Sequence, residues 1–204
     1  MKNAMSTILN LILILLLSGG CEKNNSDETD IDSRSSKIYE SCCGAEPVEY
    51  NIIDEGYIYI PNVFTPNEDG VNDRFRPYFG GSVKGFGTMT IYNMEKDTIL
   101  YILDGELINN VENIEDFGWN GNLNLLHDYE RKYVGGFKYE ILFWGFQKDG
   151  SSLHYKVEGS ACAIQCGPDA VIFKSKEGCF YPEQRNEKDF LDKTKAVTEK
   201  DCFE

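Results

Sequence analysis

Histidine is scarce in this chain of 204 residues, where only His127 and His154 occur. Neither histidine belongs to an HxxxH pattern and no two cysteines have the CxxC spacing, so the ligand sets of common structural zinc sites are missing. Ser151 and Ser152 lack the Gly-x-Ser-x-Gly elbow that exposes a catalytic serine. The sequence gives little support to metal-assisted or nucleophilic catalysis, and we predict that the protein is not an enzyme.

Positive charge is also in short supply, with 20 Lys and Arg against 34 Asp and Glu and a formal net charge of −14. Phosphate backbones and anionic lipid headgroups repel such an acidic chain. We therefore expect no nucleic-acid partner and no attachment to membranes through surface charge. The charge balance is typical of a well-hydrated extracytoplasmic domain.

Long hydrophobic runs are missing as well. A membrane-spanning helix needs about 20 apolar residues, and the apolar stretch Ile8–Leu17 is shorter than that. Lys2 precedes this stretch and the small residues Ser18-Gly19-Gly20 follow it, which is the order of a secretory signal. We assign residues 1–20 to a signal peptide.

The end of this signal, Leu17-Ser18-Gly19-Gly20-Cys21, resembles the lipobox of bacterial lipoproteins, with Ser18 where that family has an aliphatic residue. The resemblance implies cleavage before Cys21, acylation of this cysteine and attachment to the outer membrane or cell surface. Stable anchoring needs more than one acyl chain, and the lipoprotein modification provides several. The alternative is an ordinary cleaved signal that leaves Cys21 unmodified.

The segment after Cys21 is polar and acidic. Residues 22–36 are rich in Asp, Glu, Asn and Ser, and Ile31 is their only aliphatic residue. Because such a segment cannot bury enough apolar surface to fold, we interpret residues 21–37 as a flexible acidic tether. One domain of ordinary size remains after it.

Six cysteines remain once Cys21 is assigned to lipid, and an even number in an exported chain indicates disulfides. Two of them are sequence neighbours whose Cα atoms are about 3.8 Å apart, which is shorter than usual for a disulfide. Each neighbour should therefore bond to a distant cysteine. The preferred pairing joins Cys42 and Cys43 to Cys162 and Cys166, and leaves Cys179 with Cys202.

Short stretches of aromatic and β-branched residues recur from Tyr57 onward and predict an all-β, antiparallel sandwich over residues 38–165. Lys138 and Glu140 alternate with apolar residues, so one face of their strand should be wet. Asp149-Gly150 predicts a turn between the last two strands. Residues 166–204 form a cysteine-containing, disulfide-stapled extension in this interpretation, with a short helix over Glu187–Glu199. The predicted strands are Tyr57–Ile60, Met89–Asn93, Thr98–Leu103, Gly136–Phe143 and Leu153–Val157.

The most specific stretch runs from Ile60 to Pro77 and reads IPNVFTPNEDGVNDRFRP. It resembles the opening of the gliding motility-associated C-terminal domain, whose pattern is roughly IPNAFTPNGDGxNDxF, with Val63 in place of Ala and Glu68 in place of Gly. That domain serves as the type B sorting domain of type IX secretion cargo. The resemblance implies an immunoglobulin-like β-sandwich, in agreement with the strand pattern.

Later landmarks match in the same order, so the resemblance covers about Tyr57 to Ala163. Trp119-Asn120-Gly121 resembles the family's Trp-Asp-Gly turn, and Val134–Tyr139 resembles the start of one of its strands. The family's domain normally ends its protein and follows a large cargo, whereas here residues 166–204 follow and only the tether precedes. We therefore expect the sandwich to be the working module of a lipoprotein.

Oxygen donors crowd around Gly70, namely Asn67, Asp69, Asn72 and Asp73. Calcium binds such donors on a tight loop. The loop is not an EF-hand, because aligning Gly70 on the EF-hand glycine puts Arg76 where a bidentate Glu is needed. Asn and Asp side chains also cap turns by accepting hydrogen bonds from nearby backbone amides. The loop is a candidate calcium site, with turn capping as the alternative.

The aromatic residues Trp119, Trp144, Tyr129 and Tyr133 could stack on sugars, although burial in the core or in turns is the simpler expectation. The leading hypothesis is a non-catalytic lipoprotein whose immunoglobulin-like module serves adhesion, assembly or secretion-associated scaffolding, with other surface proteins as partners. The alternative is a module that binds an extracellular ligand, a glycan, in a nutrient-uptake system.

Overall fold

Alternating apolar and polar residues build a mostly β structure. The computed structural model describes residues 46–52, 56–104, 117–123, 128–174, 178–199 and 201–203. The predicted signal peptide and tether, the lipidation site Cys21, and the disulfide residues Cys42 and Cys43 lie outside these ranges. Within them, no helix is long and apolar enough to cross a membrane.

The described ranges contain ten strands and one short α-helix, α1. Each predicted strand is present, and the strands around Met89, Tyr139 and Tyr155 are longer than predicted. The strands are β1 (Val48–Ile52), β2 (Gly56–Ile60), β3 (Val63–Phe64), β4 (Tyr78–Gly80), β5 (Val83–Asn93), β6 (Ile99–Asp104), β7 (Asn122–Leu123), β8 (Asp128–Lys132), β9 (Gly135–Phe146) and β10 (Ser152–Ala163), and α1 is Val171–Lys174.

Two sheets share the main hydrophobic core. One has the strand order β3-β10-β9-β5-β6 and the other β1-β2-β4, while β7 and β8 pair separately. Ile58 of β2 and Ile141 of β9 belong to the same buried cluster. Among the described strands, the β3–β10 pairing is parallel, over two residue pairs, and the other pairings are antiparallel.

A long hairpin of β9 and β10 forms the centre of the five-stranded sheet. Its register runs from Ser152 opposite Phe146 to Ala163 opposite Gly135. The predicted turn is present, with the Gly150 amide donating to the Gln147 carbonyl at 2.9 Å. Lys138 and Glu140 are half-buried while Tyr139, Ile141 and Phe143 are buried, so the wet face predicted for this strand is confirmed.

Aromatic rings fill one end of the main core. Phe75 and Trp119 both meet Phe137 edge to face, with ring centroids 4.8 Å and 5.0 Å apart. Trp119 is fully buried and its indole N–H donates to the Asn122 carbonyl at 2.8 Å. The expectation that Trp119 packs in the core is confirmed.

The C-terminal extension has a second hydrophobic core, which it shares with β3 and β10. Phe173, Tyr181 and Phe203 of the extension pack with Val63 of β3 and Ile164, just after β10. The Tyr181 hydroxyl donates to the Phe173 carbonyl at 3.0 Å, so this buried phenol is satisfied. The extension is therefore part of the folded body.

The disulfides differ from the preferred pairing. Cys166 is bonded to Cys202, with Cα atoms 4.3 Å apart, so the predicted pairs Cys179–Cys202 and Cys166 with Cys42 or Cys43 are wrong. The backbone explains the outcome, because the Gly167 amide donates to the Cys202 carbonyl at 3.0 Å and holds the two segments together. Cys162 and Cys179 are disulfide-bonded as well.

The helix expected over Glu187–Glu199 is also wrong, because this segment is a series of turns. Asn186 Oδ1 accepts hydrogen bonds from the amides of Lys188 and Phe190, at 2.8 and 3.2 Å. Asp192 Oδ1 accepts one from the Thr194 amide at 2.9 Å. Asn and Asp side chains compete with helical hydrogen bonds in this way.

Candidate functional site

The start of the motif is not on the surface, since Asn62 is fully buried between the β-sheets and the extension. Its side chain donates to the Gly178 carbonyl at 2.6 Å and accepts from the Phe180 amide at 2.8 Å. Its carbonyl accepts from the Cys162 amide at 2.9 Å. Asn62 thus ties β10 and the extension to the start of the motif.

The loop from Thr65 to Asp73, which we call the motif loop, is closed by its own side chains. Asp73 accepts hydrogen bonds from the Glu68 amide at 2.5 Å and the Gly70 amide at 2.6 Å. Glu68 and Gly70 have positive φ angles of 68° and 91°. The carboxylate therefore holds a backbone conformation that non-glycine residues seldom adopt.

The predicted oxygen donors are neighbours in this loop, but their roles differ. Asp69 accepts hydrogen bonds from the Val71 amide at 2.8 Å and from Asn67 Nδ2 at 3.0 Å. Asn72 Oδ1 accepts from the Glu183 amide at 2.9 Å. Asn67 Oδ1 is buried and has no hydrogen-bond partner among the described residues. The contacts fit turn capping, and calcium binding stays a prediction with Asn67 Oδ1 as its free ligand atom.

A buried carboxylate from the extension lies beneath the motif loop. Glu199 is 1% exposed and accepts hydrogen bonds from Thr65 Oγ1 at 2.5 Å, Asn67 Nδ2 at 3.2 Å and Asn72 Nδ2 at 3.2 Å. Burial raises its pKa to about 7, although the bonds from Thr65 and Asn72 oppose this shift. Glu199 therefore titrates near neutral pH.

A second carboxylate of the extension, Glu183, also forms hydrogen bonds with the motif loop. It accepts hydrogen bonds from Asn72 Nδ2 at 2.9 Å, the Thr198 amide at 2.8 Å and the Thr198 hydroxyl at 2.5 Å. Asn72 has a positive φ of 53° and is 7% exposed. The loop geometry and the position of the extension consequently depend on each other.

One group of ligand-type atoms meets the spacing of a metal site in the described ranges, namely Cys166, Glu199 and Cys202. The two sulfur atoms are bonded to each other, and metals bind the thiolate form of cysteine. The oxidised protein therefore offers only Glu199 from this group.

An open cleft of about 500 Å³ lies where the motif loop meets the extension. Arg74 and Arg76 from the motif and Arg185 from the extension line it, and we call it the arginine cleft. The guanidinium carbons of Arg76 and Arg185 lie 5.0 and 3.7 Å from the ring centroid of Tyr78. Asp73 and Glu183 line the same cleft, so its wall carries both signs of charge.

The four aromatic residues considered for sugar stacking form no common platform. Trp119 is buried and Tyr133 is half-buried against it, with ring centroids 5.7 Å apart. Trp144 is half-buried on β9 beside Phe146. The side chain of Tyr129 lies outside the described residues. His154 is exposed on β10, as predicted, and His127 is not among the residues described.

Sequence reasoning missed Asn62, Glu183, Glu199 and the arginine cleft. The partners of Glu199 are more than a hundred positions away in sequence, as in the contact with Thr65 at a separation of 134. A local pattern carries no signal for such contacts. The one usable signal was Asn62, a polar residue inside the apolar run Ile60–Phe64.

Comparison with protein-family models, with curated proteins and with solved structures finds no match for this chain. The resemblance to the gliding motility-associated C-terminal domain therefore depends on the sequence motifs alone.

Proposed function

We propose that this protein is a non-catalytic lipoprotein of the outer membrane or cell surface, attached through Cys21. Its body would be an immunoglobulin-like sandwich related to the gliding motility-associated C-terminal domain, acting in adhesion, assembly or secretion-associated scaffolding. The partners would be other surface proteins.

The observation that best supports this proposal is that two buried or half-buried carboxylates of the extension accept hydrogen bonds from the motif loop. Glu199 accepts hydrogen bonds from the side chains of Thr65, Asn67 and Asn72, and Glu183 accepts one from the side chain of Asn72. Removal of the extension would leave these buried polar groups without partners, at about 1–3 kcal/mol for each group. If the domain were a sorting signal, its C-terminal part would be removed after secretion. A domain whose buried polar groups depend on the extension is better suited to a module that keeps its C-terminal residues.

The anchor is tested by replacing Cys21 with Ser and separating membrane and soluble fractions. The unchanged protein should stay with membranes, whereas the Cys21→Ser variant should be released, because its acyl chains are lost. Ser26→Ala in the tether is the matched control and should stay membrane-bound. Retention of Cys21→Ser in the membrane fraction would contradict lipid attachment.

A second candidate function, binding of an extracellular glycan, is favoured by the arginine cleft rather than by the aromatic residues. The cleft combines cationic groups with carboxylate acceptors, which together suit a ligand that carries both a negative charge and hydroxyl groups.

A further inference from the structure

Arg76 is a buried cation, and no carboxylate among the described residues forms an ion pair with it. It is 9% exposed, and its Nη1 has no hydrogen-bond partner among the described residues. Its Nε donates to the Tyr78 hydroxyl at 3.1 Å, a neutral partner. A buried charge without an ion pair is costly, and the described partner that offsets this cost is neutral, the hydroxyl and ring of Tyr78.

The surroundings of Arg76 add positive charge. Arg185 contacts the same tyrosine ring, and Arg74 lines the same cleft with Nη1 donating to the Gly118 carbonyl at 3.3 Å. In the described part of the chain, Arg185 is ion-paired with Asp189 whereas Arg74 and Arg76 have no ion pair. Three guanidinium groups that line one cleft repel one another, and an anion in the cleft would relieve that repulsion.

We infer that the arginine cleft binds the carboxylate of an acidic sugar, with the guanidinium group of Arg76 providing the central counter-charge. This inference deepens the glycan-binding alternative and does not depend on how the protein is anchored.

The charge of the cleft favours a single carboxylate over a more highly charged anion. Asp73 and Glu183 lie in the same wall and would repel a phosphate dianion or an acidic peptide. The formal net charge of −14 disfavours the approach of polyanions as well. Both oxygens of Asp73 and Oε2 of Glu183 accept one hydrogen bond each from described residues. A carboxylate oxygen can accept a second, so these atoms can accept from sugar hydroxyls beside the bound carboxylate.

The test is isothermal titration of the full exported protein in detergent, at low ionic strength, with glucuronate and with glucose. These probes differ at one position, a carboxylate against a hydroxymethyl group. We expect glucuronate to bind at least about tenfold more tightly than glucose, which corresponds to about 1.4 kcal/mol. Equal affinity for the two sugars, or no heat with glucuronate, would overturn the inference.

Two variants locate the binding. Arg76→Gln should lower glucuronate affinity about tenfold or more, because charge-assisted hydrogen bonds to a guanidinium are lost. Arg131→Gln is the matched control, since Arg131 is exposed on β8 and does not line the cleft, and it should leave the affinity unchanged. Circular dichroism checks that Arg76→Gln is folded, and wild-type affinity in that folded variant would place the ligand elsewhere and overturn the inference.

Competing anions decide the class of ligand. Sulfate and a glutamate-containing dipeptide should bind more weakly than glucuronate, because they lack a hydroxylated ring. Equal binding of either anion would overturn the assignment to an acidic sugar. None of these results alters the membrane fractionation of Cys21→Ser, so failure of this inference and failure of the proposed anchor are separate outcomes.

Discussion

At the scale of single residues, two buried ionisable side chains with neutral partners lie where the motif loop meets the extension. Glu199 is a buried acid whose three hydrogen-bond donors are all neutral. Arg76, in the neighbouring cleft, is a buried base with a neutral partner. Such groups are costly for stability, and each therefore has a measurable consequence.

Glu199 should make stability depend on pH. Its pKa is about 7 in the folded state against a model value of 4.5, so the folded protein binds more protons between these two values. The contribution of Glu199 is largest below pH 4.5 and is lost as pH rises through 7, by at most about 3 kcal/mol.

Urea unfolding of the wild type and of Glu199→Gln between pH 4.5 and 8 measures this contribution. The difference in unfolding free energy should shift in favour of Glu199→Gln as pH rises, because glutamine stays neutral. The exposed Glu158→Gln is the control and should show no such trend. A difference that is constant with pH would refute the assignment of a near-neutral titration to Glu199.

Asp73 should be the main cap of the motif loop. Asp73→Ala removes two charge-assisted bonds to the backbone and should lower the unfolding free energy by about 1–2 kcal/mol. Asp149→Ala is the comparison, because the exposed Asp149 caps one amide, that of Ser151 at 2.8 Å, and should cost less. Turn capping alone predicts no calcium-dependent rise in melting temperature. A rise that Asp73→Ala abolishes would establish a calcium site.

At the scale of the elements, sequence patterns predicted strands where apolar residues are dense or alternate with polar ones, and missed them where pairing decides. The cores of β2 and β6 follow from their aromatic and aliphatic residues, and the core of β9 follows from alternation. The ends of β5 and β10 contain glycine and polar residues, as in Val83–Gly87 and Glu158–Ser160, and are extended because both strands pair with β9. The short strands β1 and β4 pair only at the edges of β2.

The candidate site was predictable only in part, for the same reason. The Asn and Asp residues of the motif loop indicated turn capping from local spacing. The contacts of Glu183 and Glu199 join residues separated by more than a hundred positions, and no periodicity reveals them. The tail helix was wrong because Asn186 and Asp192 bond the backbone locally.

The close approach of β5 and β9 can be tested at Gly145. A Cβ at this position would lie 2.2 Å from the Ser82 carbonyl oxygen, which is backbone and cannot move aside cheaply. Gly145→Ala should therefore cost about 2 kcal/mol or more in urea unfolding. Gly87→Ala is the control, because its nearest atom would be 3.9 Å away, and it should be neutral or slightly stabilising. Equal effects of the two variants would contradict the register.

The Cys166–Cys202 disulfide joins the two ends of the extension and should thereby keep Glu199 against the motif loop. Replacing both cysteines with Ser opens a loop with a sequence separation of 36 and should cost about 2–4 kcal/mol. Limited proteolysis of the double variant should then cut the segment around Glu183 to Glu199 before the sandwich. The control is Ser160→Ala in β10, which should keep wild-type resistance. Undiminished resistance in the double variant would mean that the second core alone fastens the extension.

At the scale of the whole molecule, two hydrophobic cores form one body in which the extension completes the sandwich. The second core includes Val63 from the motif and Tyr181 and Phe203 from the extension. Neither part satisfies its buried polar groups alone, as Asn62 and Glu199 show. This dependence is the physical basis for proposing a lipid-anchored module that keeps its C-terminal residues.

Intact-mass measurement of the non-reduced protein extracted from membranes tests that proposal most directly. The account predicts a chain that starts at an acylated Cys21, retains the extension through Glu204 and contains no free thiol. A chain that starts with an unmodified Cys21, or that ends before Cys166, would contradict it.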